Sequence, residues 1–226
     1  SLIPKSGDDS MTKTLEKTKT CLNLIGGEWV KSNTGKTFTS YSPANQEEVI
    51  GSFADSDETD VKKAVDAAAK AFETWRKVPA PERAEIILRA GLLLEEHKES
   101  LAKDMTREMG KVLNEARGDV QEAIDMAKYA AGEGRRMFGM TVPAEMRNKF
   151  AMAVRAPLGV VGIITPWNFP VAIPSWKILP ALVAGNTVVF KPATDTPYCA
   201  YRFVEILQEA GLPPGVINFV TGSGSR

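Results

Sequence analysis

The chain has 226 residues, 43% of them hydrophobic and 25% charged, enough to bury a sizeable core and too apolar for a disordered chain. Its 28 basic residues balance 28 acidic ones, which excludes a broad electrostatic footprint for nucleic acid or for an anionic membrane. Two distant cysteines, Cys21 and Cys199, form neither a CxxC nor a zinc spacing, and read as free thiols of a reducing, cytoplasmic compartment. Residues 1–10 precede Met11 and read as an appended tail. The Thr-Lys-Thr-Leu-Glu-Lys run after Met11 lacks the apolar core of a signal peptide, and no apolar run reaches membrane-spanning length. Residues 22–30 (LNLIGGEWV) predict a hairpin turning on Gly26-Gly27. Short extended pieces follow over 38–54. Asp57, with Asp60 three residues on, predicts a helix start; Val61, Ala64, Ala68, Phe72 and Trp75 then share one face. Pro79 and Pro81 separate that helix from one running to about His97. A third ends at Met109 with Gly110 as its cap. A fourth spans 112–131, with Val112, Ala116, Val120, Ile124 and Ala127 as its apolar stripe. The lone histidine, His97, lies in the apolar-periodic run Ile86 to Leu101 and reads as a helix residue, not a catalytic base.

The texture changes near Gly132. Residues 141–157 alternate loosely and predict an extended ribbon. Gly159–Ile164, Asn186–Phe190 and Val216–Val220 are continuous apolar runs of the kind buried parallel strands show. Helices are predicted between them over 171–184, where Pro180 should kink or interrupt, and over 197–210, stopped by Gly211. The fold class is therefore α/β: a helical N-terminal segment, a β-ribbon, and the first strands of a doubly wound parallel sheet. The divisions are 11–140, 141–157 and 158–226.

Open α/β sheets bind ligands outside the carboxyl ends of their strands. Ile164-Thr-Pro-Trp-Asn-Phe-Pro170 sits at the first such end, where Asn168 can present an amide to a developing oxyanion. Lys191-Pro-Ala-Thr194 sits at the second, where Lys191 can reach a ribose or phosphate, and Thr194 can bond a ribose or cap the next helix. Gly222 and Gly224 follow the third. Taken singly on spacing, these residues read better as a structural turn, a surface lysine and an ordinary cap; their occurrence together at adjacent strand ends makes a shared nucleotide crevice more plausible than any one alone.

The stretch VRAPLGVVGIITPWNFPVAIPSWKILPALVAGNTVVFKPATDTP (154–197) closely resembles the aldehyde dehydrogenase superfamily, as do TREMGK (106–111) and GLPPGVINFVTGSGS (211–225). It looks most like bacterial enzymes for dicarboxylic semialdehydes, notably of the 2-oxoglutarate semialdehyde type. The resemblance implies NAD or NADP as cofactor and an aldehyde as substrate. It implies that Asn168 donates to the oxyanion and that Lys177 lies near the cofactor in a proton relay. Ile164, Thr165, Trp167, Lys191, Thr194, Gly222 and Gly224 match cofactor-lining positions. Phe169, Ile173 and Trp176 match the wall of the substrate tunnel, and 141–157 match a ribbon used to form dimers or tetramers. Two departures are expected to matter. Thr194 stands where a glutamate often selects NAD, so NADP should be tolerated. Trp176 stands where succinate-semialdehyde enzymes place an arginine. The family's nucleophilic cysteine and general-base glutamate fall after the Gly-rich turn, so the 226-residue chain is expected to lack both. Taken alone it reads as an inactive scaffold or nucleotide-binding fragment.

Overall fold

The computed structural model describes residues 19–224, so the tail at 1–10 and Met11 lie outside the described residues. Three parallel strands form the centre: β8 (Val160–Ile164), β9 (Thr187–Lys191) and β10 (Ile217–Phe219). The hairpin is β2 (Asn23–Ile25) and β3 (Glu28–Val30), as Gly26-Gly27 predicts. Both glycines adopt positive φ there. Unforeseen from sequence, the hairpin adds to the parallel sheet: β2 runs antiparallel to β10, giving the order β3-β2-β10-β9-β8. A separate sheet joins β1 (Thr20–Cys21), β5 (Val49–Ala54) and β4 (Thr37–Tyr41). The ribbon pairs β6 (Met140–Val142) with β7 (Ala151–Ala153).

Alternation along the strands gives the central sheet two apolar faces. On one, Val189 and Val220 pack with Ala64 and Ala68 of α1 (Glu58–Trp75). On the other, Val188, Phe190, Ile217 and Phe219 join the larger core built with α5 (Ala172–Val183) and α6 (Pro197–Glu209). Outside these lie α2 (Ala80–Glu96), α3 (Lys98–Met109) and α4 (Leu113–Glu133), burying Ile87, Leu94, Leu101, Met105, Val120 and Ile124. Asp57 caps α1 through the N–H groups of Thr59 and Asp60, while the Asp60 carboxylate accepts from the Asp57 N–H. Gly110 closes α3 in the left-handed conformation, as predicted.

Several expectations are corrected. Val61 and Val112 are exposed: Val61 lines an open cavity at the start of α1, and Val112 precedes α4 as its N-cap residue. Pro180 does not interrupt α5: the helix continues to Val183, and the Ala184 N–H bonds the Pro180 carbonyl. The lost N–H would have faced the exposed Trp176 turn, where water can serve its carbonyl. Finally β8, although its sequence reads as a buried strand, buries only Ile163, because among the described residues it pairs with β9 alone and forms the sheet edge.

Candidate cofactor and substrate site

The three parallel strands end side by side, so their loops start from one edge of the sheet. The loop after β8 passes from Ile164 to α5. Ile164 and Trp167 are 71% and 54% exposed, whereas Thr165 is buried and its N–H reaches the Lys191 carbonyl at 3.4 Å, joining the first loop to the second. The Ile173 N–H bonds the Phe169 carbonyl, so α5 begins within the loop. This brings the Phe169 and Trp176 rings to 6.3 Å between centroids. Lys177, one residue on, donates to the Ile164 carbonyl at 3.2 Å. Asn168, Phe169, Ile173, Trp176 and Lys177 thus share one corner. Among the described residues nothing accepts from or donates to the Asn168 side-chain amide, which is exposed. Its backbone carbonyl, by contrast, accepts from Lys111 Nζ at 2.8 Å.

Lys111 was given no role from sequence. It follows the Gly110 cap, and its ammonium also meets Asp119 Oδ2 at 3.1 Å and stands 4.0 Å from the Phe169 ring centroid. Asp119 is buried on α4, and its other oxygen accepts the Ala172 N–H at 2.8 Å, at the first residue of α5. Burial pushes the Asp119 carboxyl up, and the Ala172 N–H and Lys111 pull it back. The TREMGK stretch ends on Lys111, but no spacing links it to its partners, which lie on α4 and in the loop after β8.

The second and third loops meet around a cavity of about 320 Å³ that includes Lys191, Thr221 and Gly222. The opposite wall was not foreseen: it is the start of α1, with Asp57, Glu58 and Val61. That wall is fixed because the Ser56 N–H bonds the Thr221 carbonyl at 3.0 Å and Thr221 Oγ1 donates to Ala54 at 2.6 Å. Gly222 has φ +154°, and a Cβ there would stand 3.2 Å from the Ser56 nitrogen, so the close approach requires glycine. Lys191 is half-buried, and among the described residues no carboxylate lies within ion-pair distance; its ammonium bonds the Pro192 carbonyl at 2.9 Å. Burial lowers its pKa, with Asp195 opposing. Gly224 is exposed and lies outside this cavity.

Thr194 does not take up one of its two expected roles. Its hydroxyl donates to the Gly222 carbonyl at 3.1 Å, tying the second loop to the third. It does not cap α6, whose N-cap is Thr196. The α6 start is instead served by Glu108 of α3, whose oxygens accept the Tyr198 and Cys199 N–H groups at 2.6 and 2.8 Å. Glu108 is buried, and burial pushes its pKa up to about 7 against the pull of those bonds.

Two further features bear on what this arrangement can do. Both thiols are buried and away from the loops, and burial raises Cys21 to about 12 and Cys199 well above its ordinary value. Neither is a nucleophile at neutral pH. The site therefore offers an exposed amide donor, an unpaired half-buried cation and a glycine-lined approach. These fit an oxyanion and a dinucleotide.

Residues 29–226 match the profile of the Aldehyde dehydrogenase family. The chain belongs to the aldehyde dehydrogenase family. Among curated relatives, an alpha-ketoglutaric semialdehyde dehydrogenase of Bacillus subtilis is 47% identical over 206 residues, which cover 91% of this chain and 42% of that protein. Among solved aldehyde dehydrogenase-like structures, an E. coli NADP-dependent enzyme superposes with a TM-score of 0.88 at 40% identity, covering 91% of this chain and 43% of that one. The betaine aldehyde dehydrogenase of Staphylococcus aureus, solved in complex with NAD+, gives 0.88 at 35% identity, covering 91% and 41%. The chain thus spans about two-fifths of the length of the aldehyde dehydrogenases it matches, and its α/β architecture is part of theirs.

Proposed function

We propose that this chain supplies the cofactor crevice and the oxyanion donor of an NAD(P)-dependent aldehyde dehydrogenase that oxidises a semialdehyde to the carboxylic acid. The observation that carries the reading is the convergence of Asn168, Lys191 and Gly222 at adjacent strand ends in a chain of this family. The semialdehyde follows the Bacillus relative, an alpha-ketoglutaric semialdehyde dehydrogenase, and NAD(P) follows the NADP-dependent and NAD+-bound structures that superpose on this chain.

Lys191 and the Thr221–Gly222 turn would hold the ribose and phosphate end of the dinucleotide. Thr165 and Trp167 would line its other end, and the nicotinamide, when bound, would supply the hydride acceptor. The Asn168 amide donates to the aldehyde oxygen as it gains charge, a bond strongest in the transition state. Phe169, Ile173 and Trp176 exclude water on the substrate side. Lys177, held by the Ile164 carbonyl, is placed to move a proton. Neither buried cysteine is placed to supply the attacking thiolate, so this chain's part in the reaction is to bind, orient and stabilise charge. The exposed ribbon, with Phe138, Met140, Phe150 and Met152 outward, joins copies of the enzyme.

The test is Asn168→Ala in the extended polypeptide. Loss of one oxyanion donor lowers kcat by roughly 10²–10³, with the affinity for NAD(P) retained. An unchanged kcat would reduce Asn168 to a turn residue. By itself the 226-residue chain should bind the dinucleotide and turn over no aldehyde.

A further inference from the structure

We propose that Lys111 and Asp119 are positioning residues for the oxyanion donor, acting on Asn168 through its backbone. This inference rests on the reading of Asn168 given above. Lys111 Nζ holds the Asn168 carbonyl at 2.8 Å, and Asp119 holds the Ala172 N–H at 2.8 Å. The two grips are four residues apart and are linked by the 3.1 Å ion pair. Between them lie Phe169, whose ring takes the face of the Lys111 ammonium, and Pro170, which fixes its own φ. With its carbonyl and the next ring held, the Asn168 Cα has little freedom, and only its side-chain amide is left facing outward.

The chemistry of the pair supports a positional role. The Lys111 side chain is 9% exposed and that of Asp119 0%, so both charges are desolvated, and such a pair seldom adds stability over packed apolar side chains. What the ions add is direction. An ammonium finds one carbonyl, one carboxylate and one ring face together, and an apolar side chain would fill the space without fixing the carbonyl. Donor placement matters because a displacement of about 1 Å can cost on the order of 10²-fold in rate.

The experiment is a double-mutant cycle in the extended, active polypeptide. Lys111→Met and Asp119→Asn are each combined with Asn168→Ala. The rate read is the pre-steady-state appearance of NAD(P)H, with dinucleotide affinity measured alongside. Lys111→Met should slow this step by roughly 10–100-fold with dinucleotide affinity unchanged within about twofold. Placed on Asn168→Ala, it should cost almost nothing further, because the group it positions is gone. Asp119→Asn keeps an oxygen for Ala172 and loses the charge facing Lys111; it should show a smaller loss with the same non-additivity, and it carries the test if Lys111→Met does not fold. If both variants slow the reaction equally with and without Asn168, they act on the fold at large and the proposal is wrong. It is also wrong if Asn168→Ala is slow while both are fast. A fast Asn168→Ala enzyme overturns the oxyanion reading itself.

Discussion

Glu108 makes the stability of this fold depend on pH in a direction opposite to that of an ordinary salt-bridged carboxylate. Its pKa rises from 4.5 to about 7, because burial outweighs the two N–H bonds at the start of α6. The folded state therefore holds a proton that the unfolded state has released between those values. The contribution is fully present below pH 4.5, shrinks as pH rises, and is gone above about 7. At 1.36 kcal/mol per pKa unit, the full swing is about 3 kcal/mol, of which about 2–3 kcal/mol falls between pH 5 and 8. Asp104 and Asp119, also pushed up by burial, lean the same way. Glu108→Gln removes the titration and keeps a neutral side chain at the start of α6 at every pH, as the protonated carboxyl does. Urea unfolding of the 226-residue chain, wild type and variant, at pH 5, 6, 7 and 8 reads the difference. Stability of the wild type minus that of the variant should rise by about 2–3 kcal/mol from pH 8 to pH 5. A difference that stays constant, or falls as pH falls, would refute the reasoning and mean that Glu108 stays ionised at the helix start.

Thr194→Glu should raise the NAD-to-NADP ratio of kcat/KM by about tenfold or more, since a carboxylate beside Lys191 accepts ribose hydroxyls and repels a 2′-phosphate; a wild type that already rejects NADP equally would show that Thr194 does not read the ribose. The 226-residue chain should give no aldehyde-dependent NAD(P)H, and alkylation of native protein should be slow because both thiols are buried with raised pKa. Turnover that alkylation abolishes would overturn this. Val142→Glu with Met152→Glu, on opposite ribbon strands, should lower the solution mass of the assembled enzyme by light scattering; an unchanged mass would remove the ribbon from the interface.

Local chemistry was legible where it is decided locally. Asp57 with Asp60, Gly110 after Met109 and Gly26-Gly27 each announce a backbone event within a few residues, and each occurs there. Strand order is not of that kind. Val160–Ile164 and Thr187–Lys191 read alike as apolar runs, yet one is an edge and the other is central, because burial depends on which strand lies beside which. The site follows the same division. The loops carrying Asn168, Lys191 and Gly222 were found from the rule of strand ends, whereas the Lys111–Asp119 pair and the α1 wall of the cavity needed the packing. Thr194 shows a third case: its residue type was compatible with a ribose or a cap, and its hydroxyl donates to the Gly222 carbonyl beside the cavity while Thr196 takes the cap position of α6.

The hairpin that begins the described chain finds its sheet partner near the other end. Leu24 pairs with Phe219, and the Thr221 N–H reaches Asn23 across 198 residues. On the ribosome, at about 5–20 residues per second, the first strands wait roughly 10–40 s for their neighbour. Leu24 and Asn23, both at 0% exposure once folded, spend that interval without their native cover. Closing so long a loop is also slow relative to forming helices α2–α4, whose contacts are nearer in sequence. Assembly of the helical layer before the sheet is closed is the order this connectivity favours. The hairpin edge at Asn23 and Leu24 is then the last part of the central sheet to gain its cover.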